Sequence, residues 1–324
     1  MHSLLFLVMG AMLTPGSSSN QPNWAMATLI TLSAGKRLQD HAITYTHQAV
    51  LLGKQVSERY PNVPRLAVVK EGQVGADDVA MLEAAGYTVL LRPGLTPAYV
   101  KSRDPLAHVY YDQYMKFWLW NETGFDRIVY MDSDTYFTNT SLINFEDFLP
   151  LASEDRVVAC PTPWSLADEQ SLPITWNGGF FIMQPSRAKF DGLTGSPTPP
   201  SHFMLRYGSE RQWFDTSEMG AFMRDFPAFS TPFPLWEYCA EVQPCCVEAR
   251  CETRFAMPKK RGAMVHGLKP DGPVQAGRPL SSIFDHQRID VFKSWGYDPE
   301  CLREQFYEPL TRLYAQYGLL SSAP

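Results

Sequence analysis

Two carboxylates stand one residue apart in RIVYMDSDTYF, Arg127 to Phe137, directly after an apolar run. Ile128 to Met131 is apolar without alternation, the pattern of a strand buried on both faces. In open α/β sheets ligands bind at the carboxyl ends of such strands, which is where Asp132 and Asp134 fall. If the chain stays extended there, period-two alternation puts both side chains on one side. Two carboxylates on one side are not buried as bare like charges. A hard divalent cation such as Mn²⁺ or Mg²⁺, which takes oxygen ligands, neutralises them. With coordination positions left over, that cation holds a diphosphate and stabilises a departing nucleotide as a Lewis acid. A chain of this length carries on the order of one Asp-x-Asp triplet by chance, and surface turns also use Asp. This triplet is the sole copy in the chain and follows a buried-strand pattern.

Two further stretches carry chemistry. TWNGGFFIMQPS, Thr175 to Ser186, puts Asn177 and two glycines before an apolar run that ends at Pro185. Paired glycines admit positive φ and close approach of a ligand to the backbone. Asn-Gly alone equally reads as a hairpin turn. AMVHGLKPDGP, Ala263 to Pro273, sets His266 and Lys269 three apart beside glycine and proline. The imidazole is suited to completing a metal site, and the ammonium to pairing with a phosphate as a point charge. A lone His near a strand end is commonly structural; the glycine and proline around this one favour function.

The elements that must position these residues read as alternating strands and helices. WAMATLITLS, Trp24 to Ser33, is rich in β-formers, and residues 41 to 60 carry apolar positions at helical spacing. Arg65 to Lys70 reads as a buried strand, and Gly75 to Tyr87 as a helix that stops at Gly86. TVLLRP is the next strand, ended by Pro93, and Tyr110 to Thr123 the next amphipathic helix, leading into DRIVYM. This alternation predicts an α/β layered domain with a mostly parallel sheet. Gly192 to Ser201, GLTGSPTPPS, reads as a loop that either divides two lobes or is a surface excursion. Cys301 to Leu320 reads as a helix with an ordinary packing face.

Composition bounds the function classes. The chain has 324 residues, 45% hydrophobic and 13% aromatic, which is globular composition with a sizeable core. Its formal net charge of −6 argues against nucleic acid as the main partner, since phosphate backbones want a basic face. Leu4 to Leu13 is a short apolar run followed by small and polar residues, as in a signal-peptide core, and too short to span a bilayer. The alternative for this run is a hydrophobic first strand or helix. Six cysteines, four of them clustered at Cys239, Cys245, Cys246 and Cys251, fit disulfides in an oxidising lumen; zinc is the alternative, without a Cys-x-x-Cys pair to support it. Asn121 and Asn139 head N-glycosylation triplets. The expected location is therefore the secretory pathway, in the Golgi lumen or secreted, with membrane association only through an uncleaved leader.

In this order and spacing the motifs resemble glycosyltransferase family 8, the glycogenin-like and lipopolysaccharide galactosyltransferase-like retaining enzymes of the GT-A fold. The resemblance runs from about Ala27 to about Pro273. RIVYMDSDTYF looks like the family's strand plus Asp-x-Asp, TWNGGFFIMQPS like its Asn-x-Gly segment, and VHGLKP like its His-x-x-Gly-x-x-Lys-Pro-Trp motif. Lys116, in MKFWLW, matches the basic residue that the family directs at the donor. The resemblance implies a Rossmann-like nucleotide-diphospho-sugar transferase fold, with a mixed, mostly parallel sheet flanked by helices. Residues 1–22 would be the leader. Residues 23–324 would be a single domain with a Cys-rich insertion near 239–251 and a C-terminal helical extension.

It further implies transfer of a hexosyl-type sugar from a UDP-sugar to a hydroxyl acceptor, with Mn²⁺ or Mg²⁺. Asp132, Asp134 and His266 would be metal ligands. Gly267 and Lys269 would hold the diphosphate, Lys116 and Ser133 would contact the donor, and Asn177 and Gly179 would line the sugar pocket. Thr31 and Ser33 are candidates for nucleotide contacts. The chain departs from the family in two places. Its last motif is shortened to HGLKPDGP and lacks Trp. The family's Asp-Gln aligns with FDTSEMGAF, where Asp215 or Glu218 would stand for the acidic residue and Met219 replaces Gln. Other readings of the same aspartates are a non-catalytic, metal-dependent carbohydrate module and a phosphoesterase. The abundance of Tyr also allows glycogenin-like self-glucosylation, against which the secretory features argue.

Overall fold

The computed structural model describes residues 23–31, 38–98, 111–137, 144–161, 176–196, 222, 225–226, 228–230, 264–266, 300 and 308–319. The leader, the cysteine cluster, Asn139, Ser33, Asp215, Glu218, Gly267 and Lys269 lie outside these residues. The expected alternation folds as a mixed α/β structure. Strands β1 (Trp24–Ile30), β2 (Arg65–Lys70), β3 (Tyr87–Arg92), β4 (Arg127–Met131), β6 (Arg156–Pro161), β7 (Trp176–Met183) and β8 (Ala228–Ser230) form one sheet in the order β3-β2-β1-β4-β7-β6-β8. The pairs β1–β2, β2–β3, β1–β4 and β6–β8 are parallel; β7 runs antiparallel to both its neighbours. Two short strands, β5 (Thr135–Phe137) and β9 (Met264–His266), pair antiparallel as a separate ribbon.

Apolar residues without alternation dictate a sheet covered on both faces. In β1, Trp24, Met26 and Ile30 enter one buried cluster, while Ala25, Ala27 and Leu29 enter the other. In β4, Val129 and Met131 face the first cluster, and Ile128 and Tyr130 the second. Helices α1 (Leu38–Arg59), α2 (Ala76–Ala84) and α4 (Glu308–Gln316) cover the first face, with Leu51, Leu52, Val56, Leu82 and Leu310 as their buried contributions. Helix α3 (Arg187–Gly195) and a 3₁₀ helix (Tyr111–Asn121) cover the second. Each such side chain stabilises the fold by about 1.5–3 kcal/mol through burial. Gly86 ends α2 at φ +82°, where its missing Cβ avoids the left-handed penalty. Among the described residues, no helix is long and apolar enough to cross a membrane.

Four local expectations change. Residues 111–121 form a 3₁₀ helix rather than an amphipathic α-helix. Tyr114 to Phe117, Leu119 and Trp120 are all buried, because the segment is sandwiched between the sheet, α3 and the rings of Phe222 and Phe226. Residues 192–195, expected as loop, are the last turn of α3, held by burial of Phe190 and Leu193. Gly178 and Gly179 lie inside extended β7, with neither positive φ nor a hairpin at Asn-Gly. The chain also does not stay extended through the two aspartates: Thr135 N donates to Asp132 O at 3.1 Å, closing a β-turn between β4 and β5.

Candidate functional site

The turn Asp132–Thr135 sits at the carboxyl end of β4, beside β1, where the strand order 3-2-1-4 reverses direction across the sheet. That is the crevice in which open α/β sheets bind ligands. Thr31, buried, follows the last residue of β1 at the same edge. Asp132 and Asp134 are half-buried, and Ser133 between them is buried. Period-two alternation therefore does not aim the two carboxylates; the turn places them.

Strand β7 runs past this turn. Its register with β4 ends at Met131↔Phe180 and continues as a bond from Asp132 N to Gly179 O at 2.8 Å. The adjacent Gly178 carbonyl accepts from Lys116 Nζ at 2.9 Å. The same ammonium lies 3.2 Å from Asp132 Oδ1 and 5.1 Å from the centre of the Tyr130 ring. Lys116 is 1% exposed. A buried ammonium persists only when charge-paired and hydrogen-bonded, and here the carboxylate and the carbonyl do both. The Tyr130 hydroxyl donates to Asp132 Oδ1 as well, and its ring stacks on Phe181 at 4.6 Å. Asp132 is thus fixed by a cation, a phenol and a backbone bond before any ligand arrives. Asn177, in β7, is two residues from Gly179 along the same strand.

The third motif arrives through the ribbon. Thr135 of β5 pairs with His266 of β9, so the backbone of His266 lies across from the residue that follows Asp134. Paired residues in antiparallel strands have Cα atoms about 4.5–5.5 Å apart. From the opposite edge, Gln55 of α1 clamps β5: its Nε2 donates to Phe137 O at 2.7 Å, and Phe137 N donates to its Oε1 at 2.9 Å. A buried side-chain amide here substitutes for a neighbouring strand.

Among the described residues, no three His, Cys, Asp or Glu side chains already form a metal cage. The donor set nevertheless fits a hard divalent cation: two carboxylates from one turn, and the backbone of a histidine at the register position beside them. Asp132 Oδ1 is held by Lys116 and Tyr130, so this carboxylate is oriented from behind.

Two contributors were missed in the sequence. Tyr130 was legible, since it lies two residues before Asp132 on a strand and so on the same side. Gln55 gave no signal, because only the tertiary fold brings it to this region.

No protein-family model matches the chain, and no match is found among curated proteins. Solved structures similar to this chain include the galactosyltransferase LgtC in complex with donor and acceptor sugar analogs, at 12% identity over 87% of this chain and 99% of that one, TM-score 0.47. Mouse xyloside xylosyltransferase 1 in its apo form is similar at 10% identity over 75% and 97%, TM-score 0.44. The glycosyltransferase GlyE of Streptococcus pneumoniae is similar at 11% identity over 90% of this chain and 64% of that one, TM-score 0.46.

Proposed function

We propose that the chain is a retaining glycosyltransferase that moves a hexosyl-type sugar from a UDP-sugar to a hydroxyl on a glycan, a glycoprotein or a small molecule. One observation carries the reading. Three motifs far apart in sequence meet at one strand end: β5 following the aspartates pairs with β9 at His266, and Asp132 and Lys116 bond to Gly179 and Gly178. Each motif alone is weak; a shared position at the ligand-binding edge of the sheet is not expected by chance.

Asp132, Asp134 and His266 would hold a divalent cation, Mn²⁺ or Mg²⁺, which supplies Lewis-acid stabilisation of the departing diphosphate. Lys116 fixes Asp132 and the Gly178 carbonyl in one frame, which keeps the sugar pocket in register with the diphosphate site. In this reading Asn177 and Gly179 line the sugar pocket. Thr31, Ser33 and Ser133 contact the nucleotide, and Gly267 and Lys269 grip the diphosphate. Asp215 or Glu218 is the acidic residue beside the transferred sugar. The acceptor hydroxyl attacks from the face that UDP leaves, so configuration is retained. A short hydrophobic leader and disulfides would suit a secretory lumen.

The test is turnover. Incubation with UDP-glucose, UDP-galactose, UDP-xylose and their N-acetylated counterparts should release UDP from at least one donor in the presence of Mn²⁺. Asp134→Asn should abolish that release. Release of inorganic phosphate from simple phosphoesters instead would overturn the reading.

A further inference from the structure

The glycosylation triplet at Asn121 falls where the fold leaves its amide nitrogen open. Asn121 closes the 3₁₀ helix, and residues 122–126 form the loop that leads into β4. Asn121 is half-buried, while Thr123 and Gly124 are exposed. The loop is pinned at its far end: Asn23 N donates to Asp126 Oδ2 at 2.9 Å, and Asp126 N donates to Asn23 O at 2.7 Å. The middle residue of the triplet, Glu122, pairs with Arg92 at 2.7 Å, and it is not proline, as the Asn-x-Thr rule requires. The Asn121 side chain makes one hydrogen bond: Arg187 Nη1 donates to its Oδ1 at 2.8 Å. Its Nδ2 has no protein partner and is not among the buried unpaired polar atoms, so it faces solvent. Two other asparagines are held the opposite way, through nitrogen: Asn23 Nδ2 donates to Gly124 O at 2.9 Å, and Asn144 Nδ2 donates to Asp147.

N-linked transfer joins such an Nδ2 to C1 of an oligosaccharide. The C1–O bond to a polyprenyl diphosphate carrier breaks, the diphosphate leaves, and the amide gives up one proton. The product amide keeps its carbonyl oxygen, so the Arg187 bond survives the reaction. A bond made through Nδ2, as at Asn23 and Asn144, competes with the sugar for the same atom. The added group is bulky and needs a surface position. From an amide held by its oxygen and open at its nitrogen, in an exposed loop, we infer that Asn121 carries an N-linked glycan. The loop enters the amino end of β4, and the aspartate turn leaves the carboxyl end, five residues or about 17 Å along the strand. The attachment loop and the ligand-binding edge are thus at opposite ends of β4. The inference rests on the secretory reading of the leader and cysteines and is independent of the transferase reading.

The experiment expresses the full chain, with its own leader, in eukaryotic cells and follows its mobility with and without peptide N-glycosidase. Asn139→Gln removes the other triplet, so that any remaining shift reports Asn121. Thr123→Ala, added to it, deletes this triplet while keeping Asn121 and its bond to Arg187. Asn139→Gln should keep a glycosidase-sensitive shift, and the double variant should lose it. Mass spectrometry of the wild-type peptide reads the same site without a variant: glycosidase treatment should leave Asp at position 121. A secreted wild type whose peptide carries unmodified Asn121 would overturn the inference. So would a glycosidase-sensitive shift that persists in the double variant. Wild type that stays in the cytosol would overturn the secretory reading, and this inference with it. Neither result bears on the transferase reading, which UDP binding tests separately.

Discussion

Replacing Lys116 by Met tests whether the site is assembled before ligand arrives. The substitution keeps length and removes the ammonium. Two charge-assisted contacts go with it, to Gly178 O at 2.9 Å and Asp132 Oδ1 at 3.2 Å. Removing one member of a buried pair typically costs about 3–5 kcal/mol, because the other charge is stranded. Asp132 is 23% exposed and keeps the Tyr130 hydroxyl, so water partly solvates what remains. The Gly178 carbonyl, buried, loses a donor, which costs about 1–3 kcal/mol. Relief of the ammonium's own desolvation offsets part of the sum, leaving a loss near about 2–3 kcal/mol. Urea unfolding followed by Trp fluorescence measures it; with m of about 3 kcal/mol/M the midpoint should fall by roughly 0.7–1 M. Lys116→Arg should not rescue, since a planar guanidinium does not fit a 1% exposed pocket shaped for an ammonium. A midpoint shift below about 0.2 M would refute the claim that this lysine ties Asp132 to the glycine segment.

Two further outcomes are expected. A Cβ at Gly53 would lie 2.5 Å from Tyr87 Cε2, and that ring is held by its hydroxyl donating to Ala49 O at 2.7 Å. Gly53→Ala should therefore destabilise by about 1–3 kcal/mol and lower the unfolding temperature by several degrees in a calorimetric scan. His47 is held below its ordinary pKa by burial, with Asp78 opposing, and its Nδ1 has no partner. The unfolded chain takes up this proton first, so the stability contributed by neutral His47 is present above about pH 6.5 and is lost as pH falls through and below that value. Unfolding midpoints measured between about pH 7 and pH 5 should fall less steeply for His47→Leu than for wild type.

Much of the fold was legible because the sheet is buried on both faces. The runs at Trp24, Arg65 and Arg127 are apolar at nearly every interior position, with Thr28 the polar exception in the first; the second and third became strands within a residue of their expected bounds, and the first ends at Ile30, three residues before the expected run does. Gly86 was legible as a helix stop because α2 needs a positive φ there. The segment at 111–121 was misjudged because helical spacing does not distinguish an exposed face from one covered by later chain, here Phe222 and Phe226. The site was legible as three motifs but not as a geometry. Alternation predicted that Asp132 and Asp134 share a side of a strand, whereas a turn bond from Thr135 to Asp132 sets their positions. The groups that orient the turn, Gln55 and Lys116 with Gly178, act over separations of 82 and 62 residues, where local pattern carries no information.

The central claim is that the turn after β4 binds a nucleotide diphosphate through a cation. Calorimetric titration of UDP into the full chain, with and without Mn²⁺, on wild type and Asp134→Asn, tests it most directly. The account predicts UDP binding that requires Mn²⁺ and is lost in Asp134→Asn. Absence of UDP binding to wild type in both conditions would contradict it.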